Sequence, residues 1–189
     1  MQEQLSQYIL DKVALSDEQL TTILSYFHEL RPKKNEILLG EGEASRKMFF
    51  VIKGCLRIYF MQENGLEATR YLAFENNFAT ALTAFITQEP SLEYIQALEN
   101  TTLLYITRND FYYLLELIPG WEKFYRSYLE KAYVINTNRL MSFITMDAIT
   151  RYRLLLQENP ATVQRLSNKL VASYLNISQE ALSRLKSKI

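Results

Sequence analysis

The apolar positions of the chain change period twice. Leu20, Ile23, Leu24, Phe27 and Leu30 recur at three- and four-residue spacing, as on one face of an amphipathic helix. Ser16-Asp17-Glu18-Gln19 ahead of them reads as a capping box, with Ser16 accepting the Gln19 amide and Gln19 reaching back. The pattern predicts helix over residues 1–30, closed by Pro32, with His28 on a helical surface beside Phe27.

Between residues 36 and 107 the texture is different. Four of the five glycines, Gly40, Gly42, Gly54 and Gly65, punctuate short apolar runs at Glu36–Leu39, Lys47–Lys53 and Cys55–Gln62. Asn64-Gly65 is a hairpin signal, and it predicts a type I′ turn in which both residues take positive φ. Leu66–Phe74, Leu92–Leu98 and Thr102–Thr107 read as further strands, with an apolar stretch at Phe78–Ile86 between them. Glycines 12 and 11 residues apart, at 42, 54 and 65, suit a small antiparallel β-barrel. Cys55 reads as a small buried hydrophobe within it.

Beyond Thr107 the helical period returns. Thr107 is placed to cap a short helix with Asp110 in its first turn, and Pro119-Gly120 predicts a break. From Trp121 to about Met146 neither Pro nor Gly interrupts the chain. Trp121, Tyr125, Tyr128, Ala132 and Ile135 fall on one face of this helix, and Leu129, Tyr133, Leu140 and Phe143 on another. A helix so broadly apolar touches two things: its own barrel and either a second copy of the chain or more of the same monomer. Asp147–Glu158 reads as another helix, ended by Asn159-Pro160.

Leu166, Leu170, Val171 and Tyr174 then give one face of a short helix, and Asn176 tolerates a left-handed turn. Ser178 is positioned to cap a second helix that opens with Gln179 and Glu180 and buries Leu182 and Leu185. This is the helix-turn-helix pattern, with small Ala172 permitting close helix contact. Polar groups at the start of a recognition helix meet base edges in the major groove, which makes Gln179, Glu180, Ser183 and Arg184 candidate base readers. Ser167, Lys169, Ser178, Lys186 and Lys188 are candidate phosphate contacts.

The charge balance supports that reading only after it is divided. The 189 residues carry 21 basic and 21 acidic side chains, a net charge of zero. Residues 160–189 hold five basic residues (165, 169, 184, 186, 188) against Glu180, a local +4 that leaves −4 for the rest. A basic end favours a phosphate backbone, although a solvated basic face is the simpler alternative. Apolar residues make up 48% of the chain, enough for a real core. One His and one Cys exclude a disulfide framework, a zinc knuckle and the clustered ligands of a cupin-type metal enzyme. No cofactor is expected. The 13 Tyr and 10 Phe fall mostly at core spacing, so they read as packing rather than base stacking. Met1–Leu10 lacks the basic start and apolar block of a secretory signal, and no apolar run approaches the roughly 20 residues that span a bilayer, so a cytoplasmic protein is expected.

Taken together, Ile37-Leu-Leu-Gly-Glu-Gly-Glu43, Phe49-Phe-Val-Ile-Lys-Gly-Cys-Leu-Arg57, the Asn64-Gly65 hairpin and Ala172-Ser-Tyr-Leu-Asn-Ile-Ser-Gln-Glu-Ala-Leu-Ser-Arg184 resemble the Crp/Fnr family of bacterial transcription regulators. The resemblance spans nearly the whole chain and is strongest to the short, Bacteroidetes-type members without a C-terminal wing. It implies an α+β protein with a cyclic-nucleotide-binding-type antiparallel β-barrel (a double-stranded β-helix, or jelly roll) over residues 1–118. A long dimerisation helix over 119–146 and a helix-turn-helix domain over 147–189 would follow. The implied partners are double-stranded DNA with a pseudo-palindromic operator, a second copy of the chain, RNA polymerase, and a small-molecule effector if there is one. The dimer helix would present Trp121, Tyr125, Tyr128, Leu129, Ala132, Ile135 and Leu140.

Departures from the family pattern sharpen the expectation. Members that respond to cyclic nucleotides carry a Gly-Glu pair, whose Glu holds the ribose hydroxyl, and an Arg-Ser pair, whose Arg neutralises the cyclic phosphate. Thr80-Ala81 and Ser91-Leu92 stand at those positions here, within a pocket region of Phe78, Thr80, Ala81, Leu82, Ser91 and Leu92. A buried phosphate without a cation is poorly compensated, so cyclic AMP is not the expected effector. One His and one Cys cannot supply the ligands of the family's iron–sulfur or haem sensors. Ala181 stands where threonine is common, and the sequence stops at Ile189 without a wing, so fewer flanking backbone contacts are expected. The competing function is a ligand-binding sensor that acts through protein partners without using DNA.

Overall fold

The computed structural model describes residues 1–187. Contacts divide the chain into two compact units: Met1–Phe60 with Tyr71–Leu129, and Met61–Arg70 with the chain from Glu130 onward.

The first unit opens with α1 (Gln2–Leu10) and α2 (Asp17–Ser25). The capping box forms as the sequence predicts: Ser16 accepts from the Gln19 amide at 3.2 Å and its own amide donates to Gln19 Oε1 at 3.0 Å. The helix, however, ends at Ser25. His28–Leu30 is strand β1, paired antiparallel with β8 (Thr102–Thr107), so His28 lies opposite Tyr105 on a sheet edge rather than on a helix. The two partners are some 70 residues apart, and a three-residue strand leaves no periodicity that could outvote the helical spacing before it.

β3 (Lys47–Lys53) and β6 (Phe78–Ala79) complete one four-stranded sheet in the order β1-β8-β3-β6. The second sheet runs β2-β7-β4-β5, with β2 (Ile37–Leu39), β7 (Tyr94–Ala97), β4 (Leu56–Met61) and β5 (Glu67–Ala73). One apolar cluster (Leu39, Phe49, Val51, Ile58, Ile95 and Leu103 among others) fills the inner faces. A second joins Phe50, Phe78, Ile106 and Phe111 to the helices, through Leu5, Ile9, Ile23, Trp121 and Phe124. The alternation of β3 explains both: Phe49 and Val51 point one way, Met48 and Phe50 the other.

The hairpin between β4 and β5 belongs to the other type of tight loop. Gly65 takes a φ of +77°, whereas Asn64 is not among the residues of positive φ. Gly65 N donates to Gln62 O at 2.9 Å and Gln62 N to Leu66 O at 2.8 Å. This is a three-residue loop with a glycine bulge, not the two-residue type I′ turn that Asn-Gly predicts.

α3 (Leu82–Thr87) and α4 (Arg108–Leu117) flank the barrel, and Thr107 caps α4 through the Asp110 amide as expected. Pro119-Gly120 is not a break but the opening of α5 (Pro119–Thr145). The chain turns at Ile118, which is extended (φ −126°, ψ 103°), and Pro is tolerated in the first helical turn because its missing N–H has no partner there.

In the second unit the later part of α5 is followed by α6 (Ala148–Glu158), α7 (Pro160–Arg165), α8 (Asn168–Leu175) and α9 (Gln179–Lys186). Asp147 caps α6 through the Thr150 amide at 2.9 Å. Tyr152, Leu155, Val171, Ala172, Leu175 and Leu182 form the core of this unit. No helix among the described residues is long and apolar enough to cross a membrane.

Candidate nucleic-acid interface and effector pocket

The geometry of α8 and α9 follows from their caps. Ser167 accepts from the Leu170 amide at 3.4 Å and Ser178 from the Ala181 amide at 3.1 Å, so each helix starts where a serine satisfies an orphan N–H. α8 stops because Asn176 turns left-handed (φ 53°, ψ 51°), and Ile177 N then donates back to Ala172 O at 3.0 Å. That six-to-one bond at a left-handed residue is the Schellman arrangement, here with Asn in place of glycine. Val171, Ala172 and Leu175 pack against Leu182, which fixes the roll of α9 about its axis.

With Leu182 turned inward, Gln179, Glu180, Ser183 and Arg184 are all exposed. Glu180 sits in the first turn of α9, and hydrogen bonding by its own backbone amide, followed by the Ser178 hydroxyl, holds its carboxyl below the ordinary glutamate value; Arg184 adds to this. Ser167, Lys169, Ser178 and Lys186 are exposed too, and Lys186 Nζ donates to Asn168 Oδ1 at 2.5 Å, tying the end of α9 to the start of α8. A serine that accepts a cap bond keeps its hydroxyl proton, so Ser167 remains able to donate to a phosphate oxygen, whereas the Ser178 hydroxyl is also engaged by the Glu180 carboxyl. Lys188 lies outside the described residues.

The pocket positions divide. Phe78 packs among Tyr8, Phe50 and Phe124 in the helix-side core. Leu92 is 71% exposed. Thr80 and Ala81 are buried at the start of α3, beside half-buried Leu82. Thr80 Oγ1 donates to Lys47 O at 3.0 Å and lies 3.2 Å from Ser45 Oγ. Ser91 is buried, its amide donating to Glu43 O at 2.9 Å and its hydroxyl bonded within the chain to Glu93. None of the six side chains is cationic, and the neighbouring Glu43 and Glu93 are acidic.

On α5 the aromatic residues nearest its start belong to the first unit. Trp121 is fully buried, stacked on Phe124 at 4.5 Å, and Tyr125 and Tyr128 pack on the same core. Leu129 and Ala132 are half-buried, and Ile135 is exposed at 37%. The strongly exposed apolar residues come later: Tyr133 at 72%, Leu140 at 60% and Ile144 at 69%. The signal for them was a seven-residue step from Tyr133 to Leu140 and from Thr137 to Ile144. Sequence reasoning also passed over Arg139, which the structure half-buries between the Thr69 carbonyl of β5 and the end of α8.

Residues 29–117 match the family described as "Cyclic nucleotide-binding domain". No curated protein sequence is significantly similar to the chain. Among solved structures, FixK2 from Bradyrhizobium japonicum aligns with a TM-score of 0.74 at 16% identity, over 86% of this chain and 83% of its own. The c-di-GMP responsive global regulator CLP of Xanthomonas campestris aligns at 0.74 and 17%, over 92% and 91%. The Thermus thermophilus Catabolite Activator Protein aligns at 0.61 and 18%, over 96% and 85%. At these identities the likeness is one of fold. Residues 29–117 thus belong to the cyclic nucleotide-binding domain family, and the chain that carries them is Crp/Fnr-like in fold.

Proposed function

We propose that this protein is a homodimeric, sequence-specific DNA-binding transcription regulator of the Crp/Fnr type, not an enzyme. The observation that carries the reading is the Leu182-anchored α9, which leaves Gln179, Glu180, Ser183 and Arg184 exposed at and beyond the Ser178 cap. Arg184 would grip guanine, Gln179 adenine, and Glu180 the amino group of cytosine. Ser167, Lys169, Ser178, Lys186 and Lys188 would hold phosphates and set the register without reading sequence.

The second copy would cover a seam of α5 made by exposed Tyr133, Leu140 and Ile144 with half-buried Thr137, whose alternating four- and three-residue steps are those of a coiled coil. Two copies would present two recognition helices to a pseudo-palindromic operator. RNA polymerase is the further partner that such a role implies.

The effector of this protein is not cyclic AMP bound through a Gly-Glu and Arg-Ser set. Thr80 is occupied by Lys47 and Ser45, Ser91 by Glu43 and Glu93, and no arginine stands at either position. Two relatives in fold are a c-di-GMP responsive regulator and a catabolite activator protein. Either mode of control would need a ligand site built from other residues here. Selection of a random duplex library on the purified protein tests the reading: enrichment of an inverted repeat supports it, and an unenriched pool refutes it.

A further inference from the structure

The start of β5 is fastened to the first helix of the helix-turn-helix by a dense set of polar bonds. Ser173 of α8 accepts from the Thr69 amide at 3.0 Å, meets Thr69 Oγ1 at 2.8 Å and donates to Glu67 O at 2.6 Å. Arg139 of α5 closes the other side. Its Nη2 donates to Thr69 O at 2.8 Å and to Tyr174 O at 2.6 Å, while the guanidinium covers the Tyr174 ring at 3.9 Å. Tyr174 O is one of the last carbonyls of α8, without a partner inside its own helix, and a cation there is favoured by the helix dipole.

The bonding is costly enough to need a reason. Thr69 is 2% exposed and Arg139 half-buried; burial disfavours the charged form of Arg139, Tyr174 offsets this, and Arg70 and Arg151 nearby disfavour it further. A buried guanidinium is retained where its geometry fixes something that apolar packing would leave free to slide. Here the fixed object is α8, held at once to α5 and to the hairpin. The base-reading side of α9 stays exposed, so the bonds hold the reading head without covering it.

We propose that Arg139 and Ser173 are positioning residues for DNA recognition: they lock α8 to α5, and so set the distance between the two recognition helices of a dimer. This rests on the reading of the protein as a dimeric DNA binder. A bivalent protein gains affinity from its second head only where that head is held at the spacing of the second half-site. The bonds therefore serve two-site binding and leave single-site recognition alone.

The experiment uses the full chain and a duplex selected by the wild-type protein from a random 30-base-pair library, with a second duplex in which one half-site is scrambled. Ser173→Ala removes the hydroxyl, Ser173→Thr keeps it, and Arg139→Lys keeps charge without the forked geometry. Ser173→Ala and Arg139→Lys should each bind the two-site duplex roughly tenfold more weakly while the one-site affinity is unchanged. Ser173→Thr should restore the two-site value. As a variant-independent check, the Thr69 amide should resist hydrogen exchange in the wild type and lose that protection in Ser173→Ala. Equal losses on both duplexes, or no loss on either, overturn the proposal and leave the DNA-binding reading standing. A selection that enriches no sequence removes the reading itself, and the proposal with it.

Discussion

Ser91 and Glu93 close a small ring between them: the Ser91 hydroxyl donates to Glu93 O at 3.0 Å and accepts the Glu93 amide at 3.0 Å. Both are buried, and Ser91 is the residue that the family resemblance sets against the phosphate-binding arginine of cyclic-nucleotide-responsive members. A cyclic phosphate arriving there would have to break that ring and the Ser91 amide bond to Glu43 O, with no cation among Thr80, Ala81, Ser91 and Leu92 to repay it. Cyclic AMP at millimolar concentration should therefore leave the thermal midpoint of the protein unchanged. A ligand present at 100 times its Kd would add about 2.7 kcal/mol, a shift that a melting curve cannot miss.

The exposed seam of α5 gives a second expectation. Leu140 is 60% exposed in one copy, so Leu140→Asp removes little from the fold of that copy. In a coiled-coil seam it would place two carboxylates against each other. Sedimentation equilibrium should find the wild type dimeric and Leu140→Asp monomeric, with the far-ultraviolet spectrum and thermal midpoint nearly preserved. A monomeric wild type would contradict the assignment of the seam.

The start of α9 should be sensitive to both sequence and pH. Ser178→Ala deletes a cap bond worth about 1 kcal/mol, within a usual range of about 0.5–2. The Glu180 carboxyl is held down first by its own backbone amide and then by Ser178. A carboxyl lowered in the folded state stabilises fully above its unfolded value of about 4.3 and ceases to do so as pH falls through the lower folded value. Hydrogen exchange of the α9 amides should therefore quicken, relative to the rest of the second unit, as pH drops below about 4.3. Glu180→Gln should abolish that pH dependence, and an unchanged profile in the variant would show that another group is responsible.

Local chemistry explains which parts of this picture the sequence made legible. Ser16, Thr107 and Ser178 cap the helices they precede, and Asn176 makes the left-handed turn, because each acts on amides within a few residues of itself. The same locality made the four exposed positions of α9 readable from the spacing of Leu182 and Leu185. What was missed is non-local. His28 joins a strand whose partner is Tyr105, and its three-residue span is outweighed by the helical spacing of Leu24 and Phe27. Arg139 lies in an uninterrupted helix like any surface arginine, and only the fold brings Thr69 and Tyr174 to it from opposite directions in sequence. The exposed apolar stripe of α5 shifts for a related reason. Trp121 is apolar enough for either role, and the barrel claims it, so the uncovered stripe begins further along at Tyr133.

The division of labour on the recognition unit gives a fourth expectation. Arg184→Ala should cost roughly 1–3 kcal/mol on the selected duplex and relax preference at one base pair, whereas Lys169→Ala should weaken all sequences alike and flatten the salt dependence. Titrations of both variants against the selected duplex and its single-base variants separate the two behaviours. An Arg184→Ala protein that keeps its sequence preference would remove that residue from the readers.

The central claim is that α9 reads DNA sequence, and one measurement bears on it most directly: fluorescence anisotropy of the wild-type protein with its selected duplex and with a scrambled duplex of the same composition at physiological salt. The account predicts that the selected duplex is bound at least about 10³-fold more tightly, the lower bound for specific over non-specific binding. Equal affinity for the two duplexes would contradict it, and would leave the chain a sensor that acts through protein partners.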